Sequence, residues 1–201
     1  MTRKPPSTVT AFLGARRIAS GELHQVAAEI HARIDRDEVA PLLIFDDATS
    51  QPIEIDLRGT LEEVLARLPQ DPEAGAAAEE NAEAARLPGR PKLGVVAREV
   101  TLLPRHWEWL GTQPGGASVT LRKLVEEARK SHAEEDRLRQ RREAAYRFMT
   151  AMAGNEAGFE EAIRALFAGQ REPFEQSLHS WPPDVREHAR ALAEEAFSGQ
   201  R

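Results

Sequence analysis

The chain predicts an α+β fold, and three observations carry that reading. Short runs rich in β-branched and aromatic residues stand at 9–13, 41–45 and 53–57. Apolar residues recur at helical spacing through 23–34, 61–68 and most of 143–199. Between these blocks, residues 71–86 contain no apolar side chain larger than alanine, so little of that stretch has anything to bury. The resulting division is a small α+β module at 8–69, an Ala/Glu-rich linker at 70–91, a strand–helix–helix unit at 92–130, and a mostly α-helical C-terminal segment at 131–199.

In the first module, Val9-Thr-Ala-Phe-Leu13 alternates and stops at Gly14, which reads as a strand. Ser20-Gly21-Glu22 opens a helix carrying Leu23, Val26, Ala27, Ile30 and Ile34. Pro41–Phe45 and Ile53–Leu57 are two further strands, joined as a hairpin by the turn-forming residues 46–52. Thr60-Leu-Glu-Glu63 has the form of a capping box, followed by Leu61, Val64, Leu65 and Leu68 on one helical face.

The central unit is the richest in signals. Residues 95–103 are rich in β-branched and apolar residues with no breaker, so a strand is expected. Pro104 suits a first helical position, and Trp107 and Leu110 then share a face. Gly111, Pro114, Gly115 and Gly116 read as a sharp stop, Ser118 as an N-cap, and Leu121, Leu124, Val125 and Ala128 as the next apolar stripe. Ala133–Gln140 is a charge run with i,i+3 and i,i+4 pairs, expected as a solvated helix continuing the one before. Three or four helices follow. The first carries Tyr146, Met149 and Met152, and Gly154-Asn155 breaks it. The next carries Phe159, Ile163, Leu166 and Phe167, then a short one Phe174 and Leu178. Pro182-Pro183 starts the last, with Val185, Ala189, Leu192 and Phe197.

The chain has 201 residues, no cysteine and a net charge of -6, with a mean hydropathy of -0.51. Without cysteine there is no disulfide, thiolate metal site or cysteine nucleophile, and a cytoplasmic location is expected. No run of 18 apolar residues occurs, so no membrane partner is expected, and Met1–Ser7 lacks the apolar core of a secretory signal. Charge is unevenly spread: Arg86–Arg142 holds 13 Lys and Arg against 7 Asp and Glu, and the flanks are acidic. A basic middle is the electrostatic footprint of a nucleic-acid site, although an ordinary charged helical surface has the same composition.

One strand and two short helices cannot close a core, and a lone strand leaves both backbone edges unpaired. Pairing with the same strand of a second copy resolves both problems. It also creates a two-stranded ribbon of the size that enters a DNA major groove. The landmarks Leu103-Pro104, Gly116 and Ser118 resemble those of the ribbon-helix-helix repressors, whose strand, proline-opened helix and Ser/Thr-opened second helix occur in that order. The resemblance implies a homodimer with DNA as partner. Counted from Pro104, it places Arg98, Val100 and Leu102 toward the groove and Glu99, Thr101 and Leu103 toward the core. That family puts polar residues outward, and here the alternation is nearly reversed. A one-residue bulge or slip returns Glu99 and Thr101 to the groove, and both registers stand. The nucleic-acid-binding candidates are therefore Lys92, Arg98, Val100, Thr101, Leu102, Arg105, Ser118, Arg122 and Lys123. The N–H groups near Ser118 would hold a phosphate, and the cations would add sequence-independent affinity. The whole chain is also similar to an uncharacterised bacterial family of unknown function. The phrases that carry this are 98–110, Tyr146-Arg-Phe-Met149, Phe159–Leu166 and Trp181-Pro-Pro-Asp-Val-Arg186.

Catalytic and metal constellations are weak. Six histidines, His24, His31, His106, His132, His179 and His188, show no ligand spacing and read as surface or structural groups. Asp46, Asp47, Glu54 and Asp56 read as a solvated strand face rather than a metal or acid–base pair. Trp107, Trp109 and Trp181 read as buried anchors of helices. No glycine-rich phosphate loop and no GxSxG elbow is present. The expected function is DNA binding by a dimeric transcriptional regulator, with no catalysis, cofactor or metal. A dimerising adaptor or stress-related interaction protein without DNA binding is the alternative, with a protein partner on the N- or C-terminal module.

Overall fold

A computed structural model describes residues 8–33, 40–69 and 98–197. The linker 70–91 and Lys92 lie outside the described residues, as do 95–97 of the expected strand. The chain divides into two units, one within Met1–Leu68 and Glu134–Arg201 and the other within Pro69–Ala133.

The first unit is built on β1 (Thr8–Leu13), central in an antiparallel sheet of order β2-β1-β3 with β2 (Arg16–Glu22) and β3 (Leu42–Asp46). Gly14, at φ +56°, takes the first of two turn positions between Leu13 and its partner Arg16. That is the position where a tight hairpin needs glycine. A bulge between Ala11 and Phe12 shifts the register, so that Ala11 faces Ala19 and Phe12 faces Arg17. β2 was not expected. Ser20, Gly21 and Glu22 complete this strand rather than opening a helix, and α1 (Leu23–Arg33) begins at the next residue. Cross-strand pairing with Thr8–Ala11 supplies backbone partners that local sequence does not reveal.

Asp46 then organises the turn after β3. Its Oδ1 accepts from the N–H of Ala48 (3.1 Å), the N–H of Thr49 (2.8 Å) and Thr49 Oγ1 (2.8 Å). The expected strand at 53–57 does not form. Phe45 and Pro52 make one isolated bridge, Ile53 N–H donates to Ile44 O at 2.8 Å, and the ladder ends there. Pro52 has no N–H to contribute. The period of two survives: Ile53, Ile55 and Leu57 pack inward while Glu54 and Asp56 stay exposed. α2 (Leu61–Arg67) starts with the expected capping box, Glu63 N–H to Thr60 Oγ1 at 3.3 Å and Thr60 N–H to Glu63 Oε2 at 2.9 Å.

Both faces of β1 are buried. Val9 and Ala11 meet Val26 and Ile30 of α1. Phe12, with Phe45, faces the C-terminal helices α5 (Ala133–Ala153), α6 (Phe159–Ala168), α7 (Arg171–Ser177) and α8 (Pro183–Phe197) through Phe148, Leu166, Phe174, Trp181 and Val185. Segments 8–69 and 131–199, expected as separate regions, therefore share one core. A sheet with apolar residues on both faces needs cover on both, and α1 covers only one. Arg17 N–H to Asp184 Oδ2 (2.8 Å) ties β2 to α8 at the edge.

In the second unit, α3 (Pro104–Thr112) and α4 (Gly116–Ser131) pack on each other. Residues 98–103 form no strand in the single chain. α4 ends at Ser131 and α5 begins at Ala133, so the charge run opens its own helix after a one-residue break at His132. No helix among the described residues is long and apolar enough to cross a membrane.

Candidate nucleic-acid interface

Pro104 begins α3 as expected, with Leu103 as its cap at φ -67°, ψ 150° and His106 N–H donating to Leu103 O at 2.8 Å. The helix runs through Gly111, which the sequence assigned to the stop. It closes where Thr112 Oγ1 donates to Trp109 O (2.8 Å) and Gln113 N–H to Leu110 O (3.3 Å). Gly115 at φ +88° and Gly116 at φ +72° then turn the chain in the left-handed region open to glycine. A Cβ on Gly115 would stand 3.1 Å from Val119 Cγ1. Because the two glycines complete the turn, α4 starts at Gly116 with Gly115 as its cap. Ser118, expected as the N-cap, lies exposed inside the first turn and caps nothing.

Among its described residues the unit buries very little. Leu110 is buried, but no residue of α4 is. Val100, Leu103, Trp107, Trp109, Leu124 and Val125 are 44–57% exposed. Trp107 and Trp109 are thus not the buried anchors expected of them. Trp181 is: it is 2% exposed and its Nε1–H donates to Ala157 O at 3.0 Å. In the stretch before α3, Arg98, Glu99, Val100, Thr101 and Leu103 are exposed and Leu102 is half-buried.

Of the candidate cations, Arg98, Arg105, Arg122 and Lys123 are all exposed. Arg122 Nε donates to Ser118 O one turn earlier at 3.1 Å, which lays its guanidinium along the first turns of α4. Farther on, Arg129 pairs with Glu126 at 3.1 Å.

The other constellations have local explanations. Asp46 holds its turn. Asp56 faces Arg58 at 2.8 Å and Arg67 at 3.9 Å, and Arg58 holds its carboxyl well below the usual carboxylate range. His31 Nε2 lies 3.0 Å from Gly59 O. His188, read from sequence as a surface or structural group, is buried in the first unit with its Nε2 unpartnered. Its place beside Val185 and Ala189 on the apolar stripe of α8 was the available signal.

No curated protein and no solved structure matches the chain. A family model described as "uncharacterized protein conserved in bacteria (DUF2239)" matches residues 8–193, so that both units lie within one conserved bacterial family, and the chain belongs to it.

Proposed function

We propose that this protein binds double-stranded DNA as a homodimer in the bacterial cytoplasm, acting as a transcriptional regulator without catalysis. The observation that carries the reading is the unfinished core of the second unit. Leu103 at the cap of α3, Trp107 within α3, and Leu124 and Val125 on α4 lie half open, and residues 98–103 have no strand partner among the described residues. Apolar surface in that pattern marks an interaction site. A second copy supplies both missing parts at once, a partner strand and an opposing helix face. The resulting ribbon has the width of a major groove, and Arg98, Arg105, Arg122 and Lys123 stand exposed in the same unit.

The adaptor reading rests on the net charge of -6, which disfavours approach to a polyanion. Duplex retention on a genomic-fragment mobility shift separates the two. Retention should weaken as salt rises, since each neutralised phosphate releases a counterion. It should be lost when Arg98, Arg122 and Lys123 are replaced by Glu. A wild-type chain that retains no duplex while remaining dimeric favours the adaptor.

A further inference from the structure

We infer that His188 is an acid-released latch: its protonation parts the sheet face carrying Phe12 and Phe45 from the C-terminal helices while both pieces stay folded. The device lies within the first unit and does not depend on the DNA-binding reading.

Two apolar clusters hold that unit together among its described residues. The first lies between the sheet and α1 and includes Val9, Val26, Ile30 and Ile44. The second is built mostly by α5–α8, and the sheet reaches it through Phe12 and Phe45, with Leu43 packed at its margin. The seam between sheet and helices is therefore a few side chains wide, and each side keeps a core of its own when it opens. The polar ties across it are exposed: Arg17 N–H to Asp184, the Arg17 side chain to Glu187 at 3.7 Å, and Arg147 to the carbonyl of Thr49. Exposed pairs of this kind add little to stability.

His188 sits in that seam. It is 8% exposed, and its ring packs on Phe12 of β1 and Phe148 of α5. Its Nε2 is buried without a hydrogen-bond partner. A neutral imidazole can leave that nitrogen as a bare acceptor, but in the imidazolium both ring nitrogens donate. The closed seam then holds a charge and an N–H with no acceptor, which is costly. Two charged groups act on the ring. Asp47, in the turn after β3, favours the imidazolium; Arg17 of β2 opposes it; burial, the largest effect, disfavours it. Asp47 is already engaged, since its Oδ1 accepts from Thr10 Oγ1 at 2.7 Å. Asp184 and Glu187 on α8 are held by Arg17. From β1 and α5, Phe12 and Phe148 bring no charge. The proton is therefore accommodated by opening the seam to water. Below the ordinary histidine value of 6.5, each pH unit should raise the open population about tenfold, until the lowered folded value is reached.

The chain has no cysteine, so Leu43→Cys in the full chain places a single thiol at the seam. Its labelling by a disulfide reagent that reacts in acid, normalised to a free thiol at each pH, reads the open population. Far-UV circular dichroism in parallel reports the helices. With His188 present, normalised labelling should climb about tenfold per pH unit below pH 6.5 with helical content unchanged. Adding His188→Leu should make labelling flat with pH. His188→Gln should be equally flat and carries the test if the leucine variant misfolds. Asp47→Asn removes the charge that favours the imidazolium, so the climb should extend to lower pH. A climb that persists without His188, labelling that falls in acid, or helix loss that accompanies the climb overturns the latch.

Discussion

His188 packs against Phe12 and Phe148, its ring centroid 5.5 Å from the first and 4.5 Å from the second. Burial pushes its pKa below the ordinary 6.5; Asp47 opposes that shift and Arg17 adds to it. The folded chain therefore holds a neutral imidazole at a pH where the unfolded chain has already taken a proton. Stability from this group is complete above about pH 6.5 and is lost as pH falls from there through the lowered folded value. His188→Leu should remove that term, so the melting temperature of the variant should rise relative to wild type as buffers step from pH 7.5 to pH 5. A constant difference across that range would refute the assignment. The unpartnered Nε2 points the same way, because replacing a buried polar atom that has no partner by an apolar one is close to neutral. Gly158 is a second case in which surroundings outweigh residue type. At φ +83° its Cβ position lies 2.5 Å from Ser177 O, so Gly158→Ala should cost about 2 kcal/mol or more in chemical denaturation. The sequence marked the break at Gly154-Asn155 but not this approach, since Ser177 is distant in sequence.

Among the elements, legibility follows the range of the determining interaction. The α2 capping box was readable because both partners lie within four residues, and Thr60→Ala should lower stability by about 1 kcal/mol in urea denaturation. Pro104 as the start of α3 and Pro183 as the start of α8 were readable for the same reason. β2 was not, because Arg16–Glu22 has little apolar alternation and owes its strand form to pairing with β1. Ile53–Leu57 shows the converse: its alternation predicted a strand and correctly placed Ile53, Ile55 and Leu57 inward, yet no ladder forms beyond Ile53. The start of α4 moved from Ser118 to Gly116 because two left-handed glycines outrank a serine cap in ending a turn. The stretch 98–103, expected as part of a strand, has no ladder partner among the described residues.

At the scale of the molecule, the half-exposed α4 face makes a prediction that separates folding from assembly. Val125 is 57% exposed in the single chain, so Val125→Lys should leave helical content and the melting of the first unit unchanged. The same change should turn a wild-type dimer into a monomer in sedimentation equilibrium, since a buried unpaired ammonium is costly. A wild-type monomer would sink the dimer. The sequence by itself determined the α+β class, the helices at the C-terminus, the Thr60–Glu63 capping box, the proline-opened helices and the sparse Ala/Glu stretch, all set by residues a few positions apart. Only the tertiary structure decided that 8–69 and 131–199 share a core, that Phe12 meets Phe148 and His188 while Phe45 meets Phe148, and that α4 is left without a buried residue. Which apolar faces cover each other depends on shape and area matched across more than a hundred residues, and periodicity in one segment carries no label for its partner.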